Sequence, residues 1–223
     1  MVEILISSRN AHKIGEIRYI LGDRFRWLTL NDFPYAPEIV EDAGTFAGNA
    51  TKKAVELAKW LAASQSNERP SNLSVLADDS GLEVDALNGA PGVHSARFAN
   101  PKAGKNAPDQ ANIEKLLGLL KDVPADRRTA RFRCVIALTP ALRTAERRAS
   151  PVCDADEFEL ATCIAEGVCE GRIGFEPKGR GGFGYDPLFV PEGFSQTFAE
   201  LGEDVKNGLS HRGKALAALK RLL

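Results

Sequence analysis

Apolar residues change their spacing several times along the chain, and each change marks an element. Val2 to Ser7 (V-E-I-L-I-S) reads as a strand, and Ser8-Arg9-Asn10 as the turn after it. Asn10 is placed to cap a helix running to about Leu21, with Ile14, Ile17, Ile20 and Leu21 on one face and Gly22 as its stop. Leu28 to Glu41, punctuated by Pro34 and Pro37, is irregular. Thr45 caps a second helix from Phe46 to about Ala63, whose stripe is Phe46, Ala50, Ala54, Leu57, Ala58 and Leu61. Ser64 to Asn72 is a polar loop. Ile113, Leu116, Leu117 and Leu120 predict a third helix from Pro108 to Leu120. Ala130 to Leu138 alternates and then turns continuously apolar, as a central strand does. Thr139 to Glu159 reads as a charged hairpin excursion and Leu160 to Glu170 as a strand. The chain closes on a helix capped by Ser210, with Leu216, Leu219 and Leu222 facing inward.

The densest chemistry lies between Leu73 and Leu87. An apolar run (Leu73, Val75, Leu76, Ala77) meets Asp78, Asp79, Ser80 and Gly81, and the alternation then resumes with Leu82, Val84 and Ala86. The pattern predicts two strands flanking an acidic turn. Adjacent carboxylates repel unless a positive group sits against them, and a hard divalent cation such as Mg²⁺ suits that place. A solvated Asp-Ser-Gly turn satisfies the same residues. Both readings are open on this stretch alone.

Other segments carry cations. Lys13 falls in the first turn of the first helix, where free backbone N–H groups favour an anion, although a lysine there can equally be solvated. Asn49 and Lys53 stand one turn apart on or beside the apolar face of the second helix, so Lys53 either snorkels or reaches an anion. His211 and Arg212 open the last helix, where cations oppose the dipole; this points weakly to a ligand, against a harmless exposed placement. Gly179, Gly181 and Gly184 match G-x-G-x-x-G, but that fingerprint must open a helix, and here Asp186-Pro187 leads into a strand-like Leu-Phe-Val. The loop instead offers mobile backbone around Phe183 and Tyr185, aromatics able to stack on a planar ligand or simply to fill a core.

Composition narrows the classes. At 223 residues, 43% hydrophobic and 26% charged, the chain can bury a real core. A net charge of -1 gives no global field for nucleic acid or an anionic membrane. No signal-peptide pattern and no membrane-length apolar run occurs. Cys134, Cys153, Cys163 and Cys169 show no C-x-x-C spacing, so reduced thiols in the cytoplasm are expected.

Taken together, the segments resemble the inosine triphosphate pyrophosphatase family, the non-standard purine NTP or dITP/XTP pyrophosphatases. The resemblance spans nearly the whole chain. Its motifs are S-x-N-x-x-K at Ser8 to Lys13 with Glu16, T-F-x-x-N-A-x-x-K-A at Thr45 to Ala54, and A-D-D-S-G-L-x-V-D-A-L from Ala77. They continue with G-A-P-G-V-H-S-A-R at Gly89 to Arg97, G-G-F-G-Y-D-P-x-F at Gly181 to Phe189, and K-x-x-x-S-H-R-G-x-A at Lys206 to Ala215. Three segments depart from the family pattern: Ser8-Arg9-Asn10 stands for Thr-Gly-Asn, Gly48 replaces a carboxylate, and Phe98 with Asn100 replace a Tyr and a Gly.

The resemblance implies one elongated α/β domain over residues 1–223, with two lobes around a long mixed sheet with flanking helices, an active cleft between them, and a homodimer. It implies hydrolysis of ITP, dITP or XTP to the monophosphate and pyrophosphate, with Mg²⁺ as cofactor. Ser8, Arg9, Asn10, Ala11, His12, Lys13 and Lys53 would hold the triphosphate, and Asp79, helped by Glu41, would bind the metal and take the proton of the attacking water. Ser80, Phe183, Gly184, Tyr185, Asp186, Lys206, His211 and Arg212 would bind nucleoside and phosphates. Two rivals stay open: a pyrophosphatase for other modified bases, and a nucleotide sensor without turnover. The Asp78-Asp79 pair and Lys13 weigh against the sensor, which needs no water-activating metal.

Overall fold

The computed structural model describes residues 2–64, 72–100, 106–141 and 156–222. Most of the expected 64–72 loop and of the 139–159 excursion, with Cys153, lies outside the described residues. Among those described, six strands form one sheet: β1 (Glu3–Ile6), β2 (Arg26–Thr29), β3 (Leu73–Val84), β4 (Thr129–Pro140), β5 (Cys163–Ile173) and β6 (Phe189–Pro191). Their order is β2-β1-β3-β4-β5-β6. β1 runs parallel to β2 and to β3, whereas β5 and β6 are antiparallel, so the sheet is mixed. The helices are α1 (Ala11–Leu21), α2 (Phe46–Ala63), α3 (Asp109–Leu119), α4 (Glu157–Leu160), α5 (Phe198–Leu201), α6 (Glu203–Leu209) and α7 (His211–Lys220). The α/β class stands.

Capping residues set the long helices where the sequence places them. Asn10 accepts from the Lys13 amide at 3.1 Å and Gly22, at φ +75°, closes α1 through a bond to Arg18. Thr45 accepts from Gly48 at 3.0 Å to start α2. The Ser210 hydroxyl accepts from Gly213 at 3.0 Å to start α7. All four residues of β1 are buried, which fits a strand flanked on both edges by parallel neighbours.

The acidic stretch needs a correction. Leu73 to Val84 is one continuous strand, with no turn at Asp78-Asp79-Ser80-Gly81. Turn propensity is a weak preference, and here three things outweigh it: hydrogen bonding within the sheet, the burial of Ala77, Asp78, Asp79 and Gly81, and lysines set against the carboxylates. The region from Leu28 to Glu41 also holds more order than its prolines suggest, since β2 and a 3₁₀ turn at Leu30–Asp32 precede them. Leu160, expected at the start of a strand, ends α4 instead.

The chain divides into two compact units, Met1–Asp79 with Val135–Glu166 and Ala215–Leu223, and Ser80–Cys134 with Gly167–Lys214. The core of the first includes Ile4, Leu5, Ile6, Ile17, Leu57, Leu61, Val75 and Leu76, all at 3% exposure or less. The second gathers Leu82, Phe98, Ile113, Leu116, Phe132, Tyr185, Leu188, Phe189 and Phe198. Within it the Phe132 and Phe189 rings lie 4.7 Å apart and those of Phe189 and Phe198 5.1 Å apart.

Candidate active site

In the first unit the carboxylates of β3 meet lysines from α1 and α2. Successive strand residues point to opposite faces, so Asp78 and Asp79 part company. Asp78, fully covered, is ion-paired with Lys13 of the first turn of α1. Asp79 accepts from the Asn49 side chain at 3.1 Å and has Lys53 Nζ at 3.6 Å. That same ammonium donates to the Asp78 carbonyl at 2.7 Å and lies 3.2 Å from Glu41. Asn49 also accepts from the Ala43 amide at 2.9 Å, which fixes the segment leading away from Glu41. Asn49 and Lys53 sit one turn apart on the buried face of α2, so the helix period itself aims both at Asp79.

Burial raises the Asp79 carboxyl above the ordinary carboxylate range; Lys53 and Lys13 pull the other way, and the negative field of Glu41 adds to the rise. A carboxyl raised in this way is a better proton acceptor than a solvated one. Ser8 is half-buried and accepts from the Asn10 amide at 3.1 Å, while Arg9, Asn10, Ala11 and His12 are exposed. Lys13, Lys53, Glu41 and Asp79 are therefore brought together, with the Ser8 to His12 turn leading into them.

The second unit gathers the remaining predicted residues. Arg212, 1% exposed, donates to the Ser80 hydroxyl at 2.9 Å. Lys206 Nζ lies 2.7 Å from Asp186 and 4.8 Å from the centre of the Phe183 ring, with the Arg212 guanidinium 5.8 Å from that centre. His211 stacks on Phe132 at 4.7 Å and 13°. Asp186 Oδ2 accepts from the Phe183 amide at 2.9 Å and closes the loop on itself.

One expectation narrows here and another holds. Of the two aromatics open to stacking or to core packing, Tyr185 takes the second place: it is 4% exposed within the core and its hydroxyl donates to the Ser95 carbonyl at 3.0 Å. Phe183 is half-buried. The glycine fingerprint opens no helix, as expected: at Gly179, φ is +83° and a Cβ would stand 2.5 Å from the Ala199 carbonyl carbon, so the glycine serves a close backbone approach.

A sequence model of the Ham1 family matches residues 4–222. The chain belongs to the Ham1 family. It is similar to the dITP/XTP pyrophosphatase of Shouchella clausii (strain KSM-K16), at 44% identity over 223 residues, covering 100% of this chain and 97% of that one. The dITP/XTP pyrophosphatase of Desulforamulus reducens (strain ATCC BAA-1160 / DSM 100696 / MI-1) is 45% identical over the same length, covering 100% and 96%. Among solved structures, a HAM1 protein from Coxiella burnetii superposes with a TM-score of 0.76 at 38% identity, covering 100% and 98%. A nucleoside-triphosphatase / dITP/XTP pyrophosphatase from Mycobacterium abscessus gives 0.69 at 38%, covering 98% of each.

Asn49, which the sequence places beside Lys53 on α2 without a role in the site, is a site residue of this Ham1 chain by its contact with Asp79. Its signal was there: an amide fully buried on the apolar face of a helix must find partners, and it finds Asp79 and Ala43.

Proposed function

We infer that this Ham1 chain hydrolyses non-standard purine nucleoside triphosphates, ITP, dITP and XTP, to the nucleoside monophosphate and pyrophosphate, removing them from the nucleotide pool. The observation that carries the reading is the buried Asp79 carboxylate, held by Asn49 and set among Lys53, Lys13 and Glu41. The full-length likeness to dITP/XTP pyrophosphatases supports the choice of substrate.

Phosphoryl transfer is mostly positioning and charge stabilisation. Lys13 and Lys53, with the amides opening α1, would take the phosphates, and a triphosphate brings about four negative charges to offset. A water oxygen attacks the α-phosphorus, its proton passes to Asp79, and the bond from the α-phosphorus to the α,β-bridging oxygen breaks. Pyrophosphate leaves. On the nucleoside, Phe183 would face the base, while Arg212 and Ser80 would contact it at their polar ends. Arg212 is donor-only, so it can bond a 6-oxo group but not the 6-amino group of adenine. Adenine offers no acceptor at that position, which disfavours ATP.

Among the described residues no group of three or more His, Cys, Asp or Glu is placed to hold a metal ion. Mg²⁺ does not need one, since it is commonly bound through one or two carboxylates together with phosphate oxygens and water. Glu41 and Asp79 are such a pair, and they already converge on one cation, the Lys53 ammonium. These two residues would hold Mg²⁺, which when bound supplies charge for the phosphates and acidifies water. A cytoplasmic homodimer completes the reading.

The test is a panel of ITP, dITP, XTP, GTP, ATP and modified pyrimidine triphosphates with Mg²⁺, read as pyrophosphate released. ITP, dITP and XTP are expected to lead, with ATP, which lacks the 6-oxo group that guanine shares with them, far behind, and Asp79→Asn to fold and release none. Equal turnover of ATP, or near-wild-type turnover by Asp79→Asn, would overturn the reading.

A further inference from the structure

We propose that Asp109 is a positioning residue for the nucleobase platform: its carboxylate latches the aromatic loop to α3 through the Gly184 amide and so fixes where the Phe183 ring stands. The inference rests on the reading of Phe183 as the ring that meets the base.

Phe183 lies between two glycines in left-handed conformations, Gly182 at φ +74° and Gly184 at +61°. Glycine explores both signs of φ freely, so the aromatic residue would sit between two swivels unless both are tied. One tie is internal, from the Phe183 amide to Asp186. The other is distant in sequence: the Gly184 amide donates to Asp109 Oδ2 at 2.6 Å. That length belongs to a charge-assisted bond.

Asp109 opens α3, where any carboxylate gains from the helix dipole. Its direction exceeds that role, because the bond goes outward to the loop and the helix start carries no side-chain cap. The same face of α3 grips the chain again three residues on, where Asn112 accepts from the Ala99 amide at 2.8 Å and donates to the Ala96 carbonyl at 3.3 Å. Lys115 then donates to the Phe98 carbonyl at 2.6 Å. Tyr185 closes the mesh through its hydroxyl bond to Ser95. Gly184, Tyr185 and Asp186 are thus tied to Asp109, Ser95 and Lys206, with Phe183 held through Asp186, and Asp109 supplies the tie that is solvent-exposed and separable from the core.

Steady-state ITP hydrolysis by the full chain tests this in Asp109→Ala, Asp109→Asn and Phe183→Ala. Asp109→Ala is expected to raise KM roughly fivefold to tenfold, the net scale of one ordinary hydrogen bond at an exposed site, with kcat within about twofold of wild type. Asp109→Asn keeps an acceptor oxygen and restores KM. An unchanged KM in Asp109→Ala, equal effects of the Ala and Asn variants, or a fall in kcat together with thermal stability at constant KM would each overturn the latch. Phe183→Ala separates the two failures. If it leaves KM unchanged, the platform reading is wrong and the latch goes with it; if it raises KM while Asp109→Ala is silent, the latch alone is wrong.

Discussion

The ion pair of Asp186 and Lys206 offers the most quantitative check on how the second unit is built. The two side chains are 4% and 5% exposed, with Nζ and Oδ2 2.7 Å apart. Removing one partner strands the other charge without water, which costs about 3 to 5 kcal/mol. Asp186→Ala also deprives the Phe183 amide of its acceptor, so it belongs at the upper end, and Lys206→Met at the lower. For a chain of this size each kcal/mol moves Tm by about 2 to 4 °C, giving losses of roughly 6 to 20 °C. Removing both charges together, in Asp186→Ala with Lys206→Met, leaves neither charge buried without the other. The double variant should therefore lose less than the sum of the singles, by at least about 1 kcal/mol. Calorimetry with far-ultraviolet circular dichroism reads both quantities. Single losses below about 1 kcal/mol that simply add are what a solvent-screened pair gives, and they would refute the reasoning.

The two glycines flanking Phe183 should respond differently. A Cβ on Gly182 would run into Asp186 Oδ2 and lie 2.9 Å from its Cβ, whereas one on Gly184 meets nothing within 4 Å. Both alanine variants carry the strain of positive φ, about 1 to 3 kcal/mol, but only Gly182→Ala also disturbs the ion pair, so its Tm should fall further; equal losses would contradict the packing. Thiol reactivity should divide as well. Cys163 is exposed, while burial pushes the Cys169 thiol up to about 11 and Cys134 is buried. At pH 8 only about a thousandth of Cys169 would be thiolate, so iodoacetamide should label Cys163 first and Cys169 only as the pH climbs toward 11 or the chain unfolds. Peptide mass spectrometry showing equal early labelling would be the contrary result.

Local signals carried the helices well. Asn10, Thr45 and Ser210 are legible as caps because their side chains satisfy amides within three residues, and the stripes of α1 and α2 need no tertiary information; in α7 Leu216 and Leu219 are buried as expected, but the helix ends at Lys220 and Leu222 beyond it is exposed. β3 was misread at its centre because its charges are answered by Lys13 and Lys53, which are 65 and 25 residues from the groups they bind. β2 was missed for a related reason: a short, charged, half-exposed edge strand has little pattern of its own and takes its order from pairing with β1. The site divides the same way. Residue types and order pointed to Asp79, Lys13 and Lys53. That Asn49 holds Asp79, that Tyr185 belongs to the core, and that Asp109 reaches Gly184 across 75 residues depend on packing that no short window contains.

The account stands or falls on which bond is cut and by what. Hydrolysis of ITP in ¹⁸O-labelled water, with the products separated and weighed by mass spectrometry, answers both. Attack of water on the α-phosphorus predicts one labelled oxygen in the inosine monophosphate and none in the pyrophosphate. Label in the pyrophosphate, or inorganic phosphate as the first product, would contradict it.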